Sequence, residues 1–200
     1  MWIVKLGGSV CTDPLLPQWL ALLAELGGGR VTVVPGGGRF ADEVRRAQAQ
    51  WQFDDLAAHN MAVLAMAQTA YQLQALNPAL LLATRRADIH RVLHAGRTAL
   101  WLPLELQRHE ADDRTHWEAT SDTIAFDLAQ GLNAERLVMI KSCEIDPQHT
   151  LDDLGQAGVI DQPLAALARN AAFPIEVLHK ADLAQMRAML LGGVGGYLRA

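Results

Sequence analysis

Two glycine clusters in this chain are placed where a phosphate could be held. Lys5 precedes Gly7, Gly8 and Ser9, and Pro35 precedes Gly36, Gly37, Gly38 and Arg39. Glycine lets the backbone approach an anion closely. A helix starting just beyond the turn offers unpaired N–H groups and the positive end of its dipole. The ammonium of Lys5 can reach the same anion. Either cluster alone is as well explained by a turn in the chain. The pair, with Lys5 beside one of them, points to two phosphate-like groups facing each other.

Familiar phosphate motifs do not account for these turns. Walker A places its lysine after the glycines, whereas Lys5 comes before them. Gly36, Gly38 and Ala41 fit a dinucleotide fingerprint, but Asp54 and Asp55 stand ahead of a helix and not at the strand end that a ribose contact needs. Among the histidines, His90 and His94 have the i,i+4 spacing of a metal pair with no glutamate between them, which reads as surface helix. His59 opens a long helix on the side of the second glycine turn and is a candidate for substrate contact. Asp54 and Asp55 either cap that helix or meet a substrate ammonium.

The surrounding pattern says what positions these residues. Short apolar runs at Trp2–Leu6, Arg30–Val34, Leu80–Leu82, Ala99–Leu102, Leu137–Ile140 and Ile175–Leu178 read as buried strands. Helical stripes separate them: Leu15 to Leu26, Phe40 to Trp51, Leu56 to Leu76, Ile89 to Leu93, Thr120 to Gln130, Pro163 to Ala171 and Asp182 to Leu191. This alternation predicts an α/β three-layer sandwich around a mostly parallel, Rossmann-like sheet, with ligands beyond the carboxyl ends of the strands.

Composition narrows the partners. The chain has 200 residues, expected to form one domain over 1–200, with half of them hydrophobic and a net charge of −5. No basic field is available for nucleic acid or an anionic membrane. Apolar runs stop well short of a membrane span, and the amino terminus is too short in apolar residues for a signal segment. Cys11 and Cys143 form no CxxC pair, which suits a reducing cytosol. A cytoplasmic protein is therefore expected.

Four blocks, in order, resemble the amino acid kinase family. KLGGSV at Lys5–Val10 is similar to its opening phosphate turn, and VPGGGRFADEVR at Val34–Arg45 to the glycine turn facing the phosphoryl acceptor. TSDTIAFDLA at Thr120–Ala129 resembles the segment with the family's organising aspartate, and LVMIKS at Leu137–Ser142 the strand that follows. The resemblance implies ATP as donor, Mg2+ carried on the nucleotide, a small-molecule acceptor and a homo-oligomer, such as a dimer. It implies catalytic roles for Lys5, Asp122 and Lys141. Phosphate or nucleotide binding falls to Gly7, Gly8, Ser9 and Ser142, and acceptor binding to Gly36, Gly37, Gly38, Arg39, His59, Asp55 and Ser121.

The resemblance has gaps. No late GGMxxK-type lysine is present, and Lys141 is the candidate to replace it, a solvated lysine being the plainer reading. Lys141 to Asp146 stands where a TDVDGV-like loop is expected, and the terminal GT motif survives only as Gly195-Gly196. These departures imply an acceptor side in the N-terminal half and a shortened nucleotide side in the C-terminal half. HNMAVLAMAQ at His59–Gln68 and THWEATSDTIA at Thr115–Ala125 are similar to the family's small kinases of methanofuran biosynthesis. Their acceptor is the phosphate monoester [5-(aminomethyl)furan-3-yl]methyl phosphate, which needs no general base because a phosphate is already ionised near pH 7. A carboxylate or isopentenyl phosphate acceptor, or a non-catalytic protein that binds nucleotide or oxyanion, are the alternatives. Helix capping by Ser121 or Asp122 is the plainer reading of that segment.

Overall fold

Six of the apolar runs pair into one sheet. The computed structural model describes residues 1–112, 120–146 and 148–192. Its strands are β1 (Trp2–Leu6), β2 (Val31–Pro35), β3 (Leu80–Ala83), β4 (Thr98–Trp101), β5 (Arg136–Lys141) and β6 (Ile175–His179). They lie in the order β3-β4-β2-β1-β5-β6, and every pairing is parallel. The helices are α1 (Leu16–Leu26), α2 (Gly38–Trp51), α3 (Asp55–Leu76), α4 (Arg86–His94), α5 (Ser121–Gly131), α6 (Leu151–Gln156), α7 (Gln162–Ala168) and α8 (Leu183–Leu190). The expected three-layer α/β sandwich is the observed fold. The Thr115–Ala119 part of the THWEATSDTIA segment and the Gly195-Gly196 pair lie outside the described residues.

Strand periodicity decides which way each side chain faces. Ile3, Leu137 and Met139 pack with Ala125, Phe126 and Ala129 of α5. Their neighbours Trp2, Val4, Val138 and Ile140 pack with Trp19 and Leu20 of α1 and with Met186 and Leu190 of α8. Lys5, two residues beyond Ile3, and Lys141, two beyond Met139, therefore project from their strands toward the α5 layer. The chain leaves β1 for β2 on one side and later returns as β5 on the other. That reversal opens a crevice above β1, the place where open parallel sheets take ligands.

The two glycine turns are in contact above the sheet. A Cβ on Gly36 would lie 2.5 Å from the amide nitrogen of Gly8, and one on Gly8 would lie 2.8 Å from that of Gly38. Gly38 also has φ +52, a conformation that side chains disfavour. One helix escapes the sequence periodicity. α6 is short, and its start is marked by a reciprocal cap between Thr150 and Asp153. Gly36→Ala is expected to cost about 1–3 kcal/mol, as inserted carbon does in a packed interior, because only backbone can yield. A thermal melt of the variant within a degree of the parent would show that the turns can separate.

Candidate active site

Lys5, Asp122 and Lys141 meet at the floor of the crevice. Lys5 Nζ donates to Asp122 Oδ1 at 2.5 Å, and Lys141 Nζ donates to Asp122 Oδ2 at 2.6 Å. All three are withdrawn from water: the side chains of Lys5 and Asp122 are 4% exposed and that of Lys141 is 13%. Burial alone would raise the Asp122 pKa. The charges of Lys5 and Lys141 outweigh it and hold the carboxyl at about 2. Burial and the nearby charge of Lys5 push the Lys141 ammonium below the usual lysine range, opposed by Asp122 and Asp161. Two ammonium groups share the one carboxylate of Asp122, and Asp161 adds a second negative charge felt at Lys141. The solvated reading of Lys141 is excluded, and Asp122 does not cap α5. The cap is Thr120, whose hydroxyl accepts from the Asp122 N–H.

Above this floor is a cavity of about 810 Å³, within the range of small-molecule sites. Gly8, Ser9, Gly37, Gly38 and Arg39 line it on one side, and Asp55, His59 and Ser121 on others. Ser9 Oγ is hydrogen-bonded to Ser142 Oγ at 2.6 Å, tying the β1 turn to the end of β5. Asp54 caps α3 by accepting from Ala57 N–H, which leaves Asp55 to face the cavity, held by Gln48 Nε2 at 2.9 Å. His59 Nε2 lies 3.1 Å from the carbonyl of Leu106, so that nitrogen carries the ring proton.

Two expected anion contacts are corrected by the structure. Gly7 donates its N–H to the Ile140 carbonyl at 2.9 Å, and Gly36 donates to Leu6 at 2.8 Å. The parallel ladder runs one residue past each strand and uses both donors, and neither glycine lines the cavity. Gly36 packs against the backbone of Gly7 and Gly8, and a Cβ on Gly7 would lie 2.9 Å from the Ile140 carbonyl of β5. Cys11 is buried, which pushes its thiol up to about 11 and makes it inert.

The far wall escapes the motifs read from the sequence. Gly155, Gln156, Gly158 and Val159, followed by Ile160 through Pro163, face the glycine turns across the cavity. α7 carries no lysine, so the late-lysine segment has no counterpart in its sequence. The legible signals there are the Thr150–Asp153 box and Asp161 ahead of Pro163, a cap followed by an early proline.

The family model of the amino acid kinase family matches residues 1–144. This chain belongs to the amino acid kinase family. A relative from Methanocaldococcus jannaschii, [5-(aminomethyl)furan-3-yl]methyl phosphate kinase, is 25% identical over 148 residues. That match spans 70% of this chain and 64% of the relative's length. Among solved structures, uridylate kinase from Archaeoglobus fulgidus superposes with a TM-score of 0.70 at 16% identity, covering 97% of each chain. An isopentenyl phosphate kinase superposes with a TM-score of 0.61 at 15% identity, covering 98% of each. The similarity to these two is one of fold, and it places a six-stranded amino acid kinase sheet under the crevice.

Asp122→Asn is expected to destabilise the protein at pH 7 by about 3–5 kcal/mol, because it leaves two buried cations facing a neutral amide. The folded pKa of Asp122 is depressed, so its stabilisation is complete above its ordinary 3.8 and is lost as pH falls through about 2. Melting curves of parent and variant should therefore draw closer, by up to about 2 kcal/mol, as the pH is lowered toward that value. A gap independent of pH would refute the charge pairing.

Proposed function

We propose that this chain is an ATP-dependent kinase that transfers the γ-phosphoryl group to a phosphate monoester, of the class of [5-(aminomethyl)furan-3-yl]methyl phosphate. The observation that carries this reading is the buried Lys5–Asp122–Lys141 cluster, two ammonium groups on one carboxylate, beneath two glycine turns in contact. An acceptor phosphate oxygen attacks the γ-phosphorus in line, the bond to the β,γ-bridging oxygen breaks, and ADP departs with that electron pair. Lys5 sits where it can neutralise the phosphoryl group in flight, and Lys141 takes the donor phosphates in place of the late lysine. Both oxygens of Asp122 are taken by lysines. Asp122 would therefore leave Mg2+ to be carried by the nucleotide, where it would supply charge neutralisation.

We assign the acceptor to the N-terminal half, where Arg39 suits its phosphate, and Asp55 together with the acceptor nitrogen Nδ1 of His59 suits an aminomethyl ammonium. Ser121, Gly8, Gly37 and Gly38 line the same cavity, which supports Ser121 as an acceptor contact and the glycines as the border of the transfer path. The nucleotide falls to the C-terminal side, beside Ser9, Ser142 and the α6–α7 wall. The free thiols of Cys11 and Cys143 support a reducing, cytoplasmic setting. Among the described residues no helix is long and apolar enough to cross a membrane. Exposed Met61, Leu64 and Tyr71 lie along α3, which has no charged residue beyond Asp55, and this face supports self-association as a homo-oligomer.

An ADP-release assay across phosphate, carboxylate and isopentenyl phosphate acceptors tests the assignment. The furan-methyl phosphate is expected to give the highest kcat/KM. Nucleotide binding with no ADP release for any acceptor would make the chain a binding protein. Lys5→Ala is expected to lower turnover at least ~100-fold, the scale of losing one preorganised electrostatic contact. The fold should persist, because Asp122 keeps Lys141. Turnover near the parent level would remove Lys5 from the mechanism.

A further inference from the structure

Asp161 lies outside every motif of the family resemblance, yet it is the most heavily bonded carboxylate lining the cavity. Its Oδ2 accepts from Thr120 N at 3.0 Å, Thr120 Oγ1 at 2.8 Å and Thr123 N at 3.2 Å. Its Oδ1 accepts from Thr123 Oγ1 at 2.9 Å and from Leu164 N at 2.9 Å. One side chain thus caps α7, on which it stands, and grips the first turn of α5. Between the two gripped threonines is Asp122, whose own N–H donates to Thr120 Oγ1. A chain of hydrogen bonds therefore runs from the Asp122 backbone through the Thr120 hydroxyl to the Asp161 carboxylate.

We propose that Asp161 is a positioning residue for phosphoryl transfer, locking the first turn of α5 so that Asp122 presents one oxygen to each lysine. The proposal rests on the kinase reading above. A local cap for α5 needs only Thr120. The added carboxylate fixes the turn from both sides and joins the α6–α7 wall rigidly to the reactive floor. It also fills the anion position at the amino end of α5, so incoming phosphates are left to the glycine turns and lysines. Its charge helps keep Lys141 protonated.

The test uses the full chain with Asp161→Asn. Each carboxylate oxygen accepts from at least two donors, so an amide sets N–H against N–H on one side. Turnover is expected to fall at least about tenfold, equivalent to about 1.4 kcal/mol. KM for ATP and acceptor should change less than about threefold, because binding groups remain in place. The double variant Asp122→Asn with Asp161→Asn should be no slower than Asp122→Asn alone, since both act through one contact. The 15N signals of the Lys5 and Lys141 ammonium groups should shift in Asp161→Asn, a readout that stands even if no acceptor turns over. A lowered melting temperature with unchanged kcat, additive double-variant losses and unmoved lysine signals would reduce Asp161 to a structural cap. Should Asp161→Asn fail to fold, Thr123→Val removes one strand of the same grip and Thr123→Ser restores it. Equal turnover for the two would overturn the proposal.

Discussion

A single carboxylate lets two lysines lie out of water at the floor of the crevice. Withdrawing one ammonium ion from solvent costs several kcal/mol, and withdrawing two side by side adds their repulsion. Asp122 meets both, one oxygen each, and the charge of Asp161 is felt at Lys141 as well. Every other feature serves that arrangement: strand periodicity aims Lys5 and Lys141 at α5, and the start of α5 must hold Asp122 between them.

Much of this is legible in the amino-acid sequence. A lysine on an otherwise apolar central strand, immediately ahead of two glycines, is hard to explain by packing. Lys141 is less legible, because it ends its strand ahead of Ser142 and reads there as a solvated lysine. Only the pairing of β1 with β5 shows that Met139 and Lys141 alternate in phase with Ile3 and Lys5, so that both lysines share a face. The roles of Gly7 and Gly36 are not legible, because local sequence cannot show that a parallel ladder extends one residue past each strand and uses their N–H groups. Asp161 is hidden for a different reason. It reads as the cap of its own short helix beside Pro163, and nothing near it in the chain reveals that its second set of partners lies on α5.

The contact between the glycine turns has a geometric corollary. Since Gly8 and Gly36 leave no room for a side chain between them, the two turns form one rigid piece. The span between a group held at the β1 turn and one held at the β2 turn is then fixed by backbone, and side-chain variation around the rim can change which molecule is recognised without altering that span.

The sheet order also bears on how the site is made. The Lys5–Asp122 bond joins residues 117 positions apart, and β1 acquires its second neighbour only when β5 arrives. Contacts of such long range are slow to form, because much of the chain must be ordered before they return any stability. During synthesis the strands β1 to β4 can assemble first, leaving β1 as an open edge with its lysine still in water. The chemistry-bearing centre is thus completed by the same event that closes the sheet. A chain ending before β5 would carry an adhesive edge and a solvated lysine, with no partial activity to show for them.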